Sequence, residues 1–128
     1  MYYFVDDKLS SPGILELAKN VWPVNYDAAK TQEALYRTLN ITAYDGGLLV
    51  GCLRILTDGY YFGTITELLV LPEYQKRGIG SRLLELARKN SPTMLYFGAQ
   101  PGVEGFYEKN GCNRGLTAYI IEKQGETP

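Results

Sequence analysis

The stretch Val70-Leu71-Pro72-Glu73-Tyr74-Gln75-Lys76-Arg77-Gly78-Ile79-Gly80-Ser81, between an apolar strand and an amphipathic helix, constrains this chain more than any other. Two glycines around one residue at a helix entrance leave several backbone N–H groups without an intrahelical partner, converging on one spot. The positive end of the helix dipole and the neighbouring Lys76, Arg77 and Arg82 suit that spot to a phosphate or diphosphate. Two rival phosphate motifs fail on the residues themselves. A dinucleotide fingerprint needs a third glycine where Leu83 stands, and a nucleoside-triphosphate loop needs Gly-Lys followed by Ser or Thr, which is absent. A purely structural strand-to-helix turn would explain the glycines but not the flanking cations.

With 128 residues and 45% hydrophobic content, one ordinary domain with one core is expected. Thirteen basic against fourteen acidic residues leave a net charge of −1, so no global charge draws the chain to nucleic acid or anionic lipid. No apolar run is long enough to span a bilayer, and the N-terminus lacks the pattern of a cleaved leader. Cys52 and Cys112 have no metal-ligand spacing and read as reduced thiols in a cytoplasm. The absence of histidine removes the commonest general base and the commonest zinc ligand. No metal site is expected, and proton transfer falls to Glu, Asp, Tyr, Cys or water.

Periodicity orders the rest of the chain. A strand at Met1–Val5 precedes a helix announced by Ser10-Ser11-Pro12, with Ile14, Leu17, Ala18 and Val21 as its buried stripe. After a turn at Trp22-Pro23, a second helix is predicted over Asp27–Leu39, with Ala28, Ala34, Leu35 and Leu39 facing inward. Strands at Ile41–Tyr44 and Leu48–Leu56 flank Asp45-Gly46-Gly47, and a turn at Thr57-Asp58-Gly59 leads to a third at Tyr60–Leu71. A helix over Gly78–Asn90 and a strand at Thr93–Gly98 complete a crossover that pairs two strands in parallel. A short helix at Val103–Lys109, a last strand at Leu116–Lys123 and a frayed tail at Gln124–Pro128 follow. The sum is an α/β (α+β) single domain over residues 1–128, its mixed and mostly antiparallel sheet flanked by helices.

Glu67 through Gly80 resembles the acyl-coenzyme-A-binding motif of the GNAT superfamily of N-acetyltransferases: Gln or Arg, two residues, Gly, one residue, Gly or Ala. Gly105-Phe106-Tyr107-Glu108-Lys109-Asn110-Gly111-Cys112 is similar to the family's second signature, a helix carrying a tyrosine shortly before a Gly-apolar pair. The element order fits the family over essentially the whole chain.

The resemblance implies acetyl-coenzyme A as cofactor and an amine as acceptor. Backbone groups from Arg77 through Gly78, Ile79, Gly80 and Ser81 would hold the diphosphate, helped by Gln75 and Lys76, while Leu69, Val70 and Leu71 run beside the pantetheine arm. A strand bulge would splay the parallel pair, and an N–H near Val70 or Leu71 would face the thioester oxygen. Tyr107 would be the general acid. Glu67 is the candidate base, with a water chain ending on Glu67 or on a tyrosine as the other route; an undisturbed strand puts Glu67 and Val70 on opposite faces, and a bulge between them would bring their side chains to one face. At the position where the family often has an asparagine touching the cofactor arm, this chain has Gln100 followed by Pro101-Gly102.

The acceptor would be a small-molecule amine or a protein amine, with Trp22, Tyr26, Tyr36, Arg54, Tyr60 and Tyr61 as candidates for its side of the site. Homodimers are common among relatives. An inactive acyl-coenzyme-A sensor or partner subunit on the same fold is the alternative to turnover.

Overall fold

In the computed structural model, residues 1–5, 8–22 and 25–125 are described, so Pro23 and the tail from residue 126 lie outside the described residues. The chain divides into two compact units, 1–97 and 98–128.

The first unit is a meander with helices on both faces. Strands β1 (Tyr2–Val5), β2 (Leu39–Asp45), β3 (Leu48–Thr57) and β4 (Gly63–Val70) pair antiparallel in chain order. Gly46, at φ 60°, supplies the left-handed conformation that the tight β2–β3 turn requires. The β3–β4 turn is held by one carboxylate: Asp58 Oδ1 accepts the backbone N–H groups of Tyr60, Tyr61 and Phe62. Those three bonds hold the Asp58 carboxyl below its usual range and end the strand expected from Tyr60.

Helix α1 (Ser11–Val21) buries Ile14, Leu17 and Ala18 on the sheet, although Ser10 makes no side-chain cap. Helix α2 (Ala28–Tyr36) is capped by Asp27, whose carboxylate accepts from the Lys30 N–H at 2.9 Å. It is shorter than expected because β2 already begins at Leu39, and it buries Leu35 while Ala28 and Ala34 stay exposed. Helix α3 (Ile79–Asn90) seals the opposite face with Ile79, Leu83, Leu84 and Ala87. A Cβ on Gly51 would stand 3.2 Å from both Ile79 Cγ2 and Leu83 Cδ1, so the first turn of α3 rests directly on β3. The strand expected at Thr93–Gly98 is reduced to one parallel bridge, Thr64 to Tyr96, closed by the Tyr96 N–H on the Gly63 carbonyl at 2.8 Å.

The second unit contains helix α4 (Glu104–Lys109), ended by Gly111 at φ 82°. Leu116–Lys123 forms no strand, contrary to the sequence expectation, and Leu116, Tyr119, Ile120 and Ile121 are exposed. Its alternation favours extended backbone, but a strand exists only where a ladder partner meets it, and none among the described residues does.

Candidate active site

β4 determines what the site can do, and its ladder shows which groups are available. The Leu71 N–H donates to the Val50 carbonyl at 2.9 Å, so that donor is consumed by the sheet. In an antiparallel ladder the main-chain groups alternate toward and away from the partner strand. From the register Gly51 to Val70, Cys52 to Leu69 and Leu53 to Leu68, Leu69 turns its N–H and C=O to β3, while Leu68 and Val70 turn theirs outward. Of the two donors expected to face a thioester oxygen, Leu71 is therefore withdrawn and Val70 remains. Beyond Thr64 this outer edge meets no strand among the described residues. Its first outward acceptor is taken: Gln75 Nε2 donates to the Val70 carbonyl at 3.0 Å, which ties the following loop to the strand.

That loop starts as a 3-10 turn over Pro72–Tyr74 and enters α3 through two left-handed residues, Lys76 at φ 63° and Gly78 at φ 85°. Left-handed backbone at a lysine is strained, and alternating conformations of this kind turn successive N–H groups into one concavity. A Cβ on Gly78 would meet nothing within 4 Å, so the glycine answers to backbone conformation and leaves the front of the helix end open. Lys76 and Arg77 are exposed beside it. Arg77 lies over the Tyr74 ring at 5.0 Å, and the Tyr74 hydroxyl donates to Asp45 Oδ2 at 2.6 Å, a bond that raises the Tyr74 pKa. The β2–β3 turn thereby braces the anion loop. Arg82 is engaged elsewhere, by Glu85 at 3.0 Å and over the ring of Tyr3 at 5.9 Å.

Glu67 lies directly opposite Arg54, and its Oε1 accepts from Arg54 Nη1 at 2.8 Å, with side chains 19% and 13% exposed. The bulge falls at Thr66, on the N-terminal side of Glu67. The strand from Glu67 to Val70 is consequently regular, and the two side chains lie on opposite faces. Of the two arrangements that the sequence leaves open, the undisturbed one is found. Val70 shares the α3 face with Gly51, whereas Glu67 and Arg54 face the α1–α2 side, where Arg54 Nε donates to Thr38 Oγ1 at 3.3 Å. Thr38 in turn donates to Asn40 Oδ1 at 2.7 Å, and the buried Asn40 donates to the Leu35 carbonyl at 3.0 Å. Tyr26 is near enough for both charges to act on its hydroxyl, which burial and the Glu67 carboxylate raise and Arg54 lowers. Of the other acceptor-side candidates, Trp22, Tyr36, Tyr60 and Tyr61 are exposed. The Thr38–Asn40 support escaped the sequence because its partners are remote in the chain and carry no motif.

In the second unit, Tyr107 is half-buried on α4, edge-on to Phe106 at 5.1 Å between ring centroids. Burial first, and then the charge of Cys112, push its hydroxyl above the usual tyrosine range. The Cys112 N–H caps the helix on the Tyr107 carbonyl at 3.0 Å, which explains the spacing of the second signature. Gln100 opens a turn closed by the Val103 N–H on its carbonyl, with Gly102 at φ 91°. Both cysteines are free thiols, and no cluster of three metal-ligating side chains occurs among the described residues. No helix among the described residues is long and apolar enough to cross a membrane.

Residues 36–111 match the family described as acetyltransferase (GNAT) domain. A relative from Gibberella zeae, named as a candidate acetyltransferase, is 28% identical over 90 residues, covering 59% of this chain and 50% of its own length. The chain thus spans about half the length of the curated relative it matches. A GNAT family acetyltransferase from Streptococcus pneumoniae TIGR4 superposes with a TM-score of 0.79 at 26% identity, covering 96% of this chain and 98% of that one. The structure of an aminoglycoside acetyltransferase, AAC(6')-Iy, in complex with a bisubstrate analogue built on CoA has a TM-score of 0.74 at 15% identity, with 96% and 97% covered. At that identity the likeness shows the fold.

Proposed function

Because the chain belongs to the GNAT acetyltransferase family, we propose that it transfers an acetyl group from acetyl-coenzyme A to a primary amine, of a small molecule or of a protein N-terminus or lysine. One observation carries this reading. The outward N–H of Val70 lies on the edge of β4 that no strand among the described residues covers, and the loop 71–78 that follows leads into a glycine-bracketed helix N-terminus, so a donor for an acyl oxygen and a cradle for a diphosphate follow each other in the chain.

Acetyl-coenzyme A supplies an acetyl thioester: transfer forms the amide C–N bond, breaks the C–S bond, and requires one proton to leave the amine and one to reach the departing sulfur. The backbone N–H groups from Arg77 to Ser81, with the Lys76 and Arg77 charges, hold the diphosphate. Val70 offers its N–H to the acyl oxygen, a fixed donor where negative charge grows. The Gln75 side chain on the Val70 carbonyl holds the next peptide, Val70–Leu71, and ties the loop to the end of the strand. Glu67 receives the amine proton, directly or through water, and Tyr107 holds the proton destined for sulfur. A cytoplasmic setting belongs to the same reading and rests on the two free thiols.

Thiol release from acetyl-coenzyme A in the presence of an amine panel tests the proposal. Acetylation of any acceptor, lost in Tyr107→Phe with coenzyme A binding retained, supports it. Tight coenzyme A binding with no release for any amine would instead identify a sensor.

A further inference from the structure

Resting on the acetyltransferase reading, we infer that the acceptor is a small zwitterion, an amino acid whose carboxylate lies beside its reactive amine, and that Arg54 is the residue that selects it.

Charge balance on the α1–α2 face favours such an acceptor. Arg54 and Glu67 neutralise each other at 2.8 Å while both side chains are largely withdrawn from water. An alkyl amine arrives as an ammonium ion, and once it is present the site holds two cations and one anion. Amine deprotonation then moves a proton onto Glu67 and removes that anion, leaving Arg54 without its counter-charge. A withdrawn cation stripped of its partner is costly. Arg54 cannot escape by swinging outward without breaking its bond to Thr38, which is itself held by Asn40. An acceptor bearing its own carboxylate removes the difficulty, because its anion pairs with the guanidinium while its ammonium meets Glu67. The separation of amine nitrogen and carboxylate in an α-amino acid is of the same order as the Arg54–Glu67 contact, so the molecule fits the pair as its charge-reversed complement. The guanidinium presents a planar fork suited to a carboxylate. A polycationic acceptor finds the opposite situation: each added positive charge faces Arg54 with only one carboxylate to share.

The test compares, on the full chain, a set of free amino acids with their carboxamides and with the corresponding decarboxylated amines. It reads thiol release, and separately reads calorimetric binding of each acceptor to the coenzyme A complex. A preference of about 100-fold in kcat/KM for the carboxylate is expected, since the analogue leaves a withdrawn charge unpaired. Arg54→Gln should abolish that preference and Arg54→Lys should keep part of it, with coenzyme A affinity unchanged in both. Acetylation of carboxamides or decarboxylated amines as fast as of the carboxylates overturns the inference and leaves the acetyltransferase reading standing. Carboxylate-selective binding without acetyl transfer removes the enzymatic reading and, with it, the inference about the acceptor. Absence of both binding and transfer for every amino acid overturns the inference.

Discussion

The proposed proton donor must still hold its proton at the working pH, and burial first, then Cys112, raise the Tyr107 pKa above the usual tyrosine value. The active form is the protonated one, so activity persists through the neutral range and falls only as pH rises through that raised value. Under the proposed mechanism, the alkaline limb of kcat should lie above about pH 10. Tyr107→Phe should lower kcat by about 100-fold and erase that limb, with the dissociation constant for coenzyme A unchanged. A limb at or below the ordinary tyrosine range would assign the proton to another group. Gly78 makes a different prediction. An added Cβ meets nothing, so Gly78→Ala is penalised by the positive φ alone, by about 1–2 kcal/mol. The measured loss of coenzyme A affinity should exceed the loss of stability if its backbone faces the diphosphate. Glu67, Tyr107 and the glycines stand out in the sequence as single candidate residues. The Arg54 pairing was not, since only the β3–β4 register brings the two residues opposite each other.

Element by element, legibility followed the locality of the signal. The hairpin turns, α1 and α3 were evident from period and punctuation, because their causes lie within a few residues of themselves. The position of the bulge, at Thr66, was not legible, because register is a property of two strands and β4 alone does not encode where its partner slips. Its position has a chemical consequence: Glu67 and Val70 lie on two faces, and the carboxylate proposed as proton acceptor turns toward α2. The contact of α3 with β3 yields a prediction of its own. Gly51→Ala must displace Ile79 and Leu83 by a few tenths of an ångström, at a cost of about 1–3 kcal/mol. Because Ile79 opens the helix, that displacement moves the diphosphate cradle. The KM for acetyl-coenzyme A should therefore rise while kcat at saturation changes little, and equal losses in both would mean that the cradle stayed in place.

Across the molecule, the element order was readable as far as α4, but neither the last strand nor the extent of the parallel crossover was. A crossover fixes that two strands are neighbours, and leaves open how far they run together before their twist and a bulge part them. Here they part almost at once, and the tie is concentrated at Gly63, whose carbonyl accepts the Tyr96 N–H. Phe62 stacks on Tyr96 at 6.4 Å beside it, and Thr57 Oγ1 meets Thr93 Oγ1 at 3.1 Å. A Cβ on Gly63 would stand 2.7 Å from Thr93 Oγ1 and 2.9 Å from Leu95 Cδ2, both on the segment that carries the bridge. Gly63→Ala should then push that segment off β4. The expected results are a stability loss of about 1–3 kcal/mol and faster amide exchange at Tyr96 than at Leu53, whose strand is paired on both sides. Thr93→Ser keeps the hydroxyl and removes only a methyl, so it should leave Tyr96 protected. If Tyr96 exchanges no faster in Gly63→Ala than in the parent chain, the close approach at Gly63 is not what holds the crossover together.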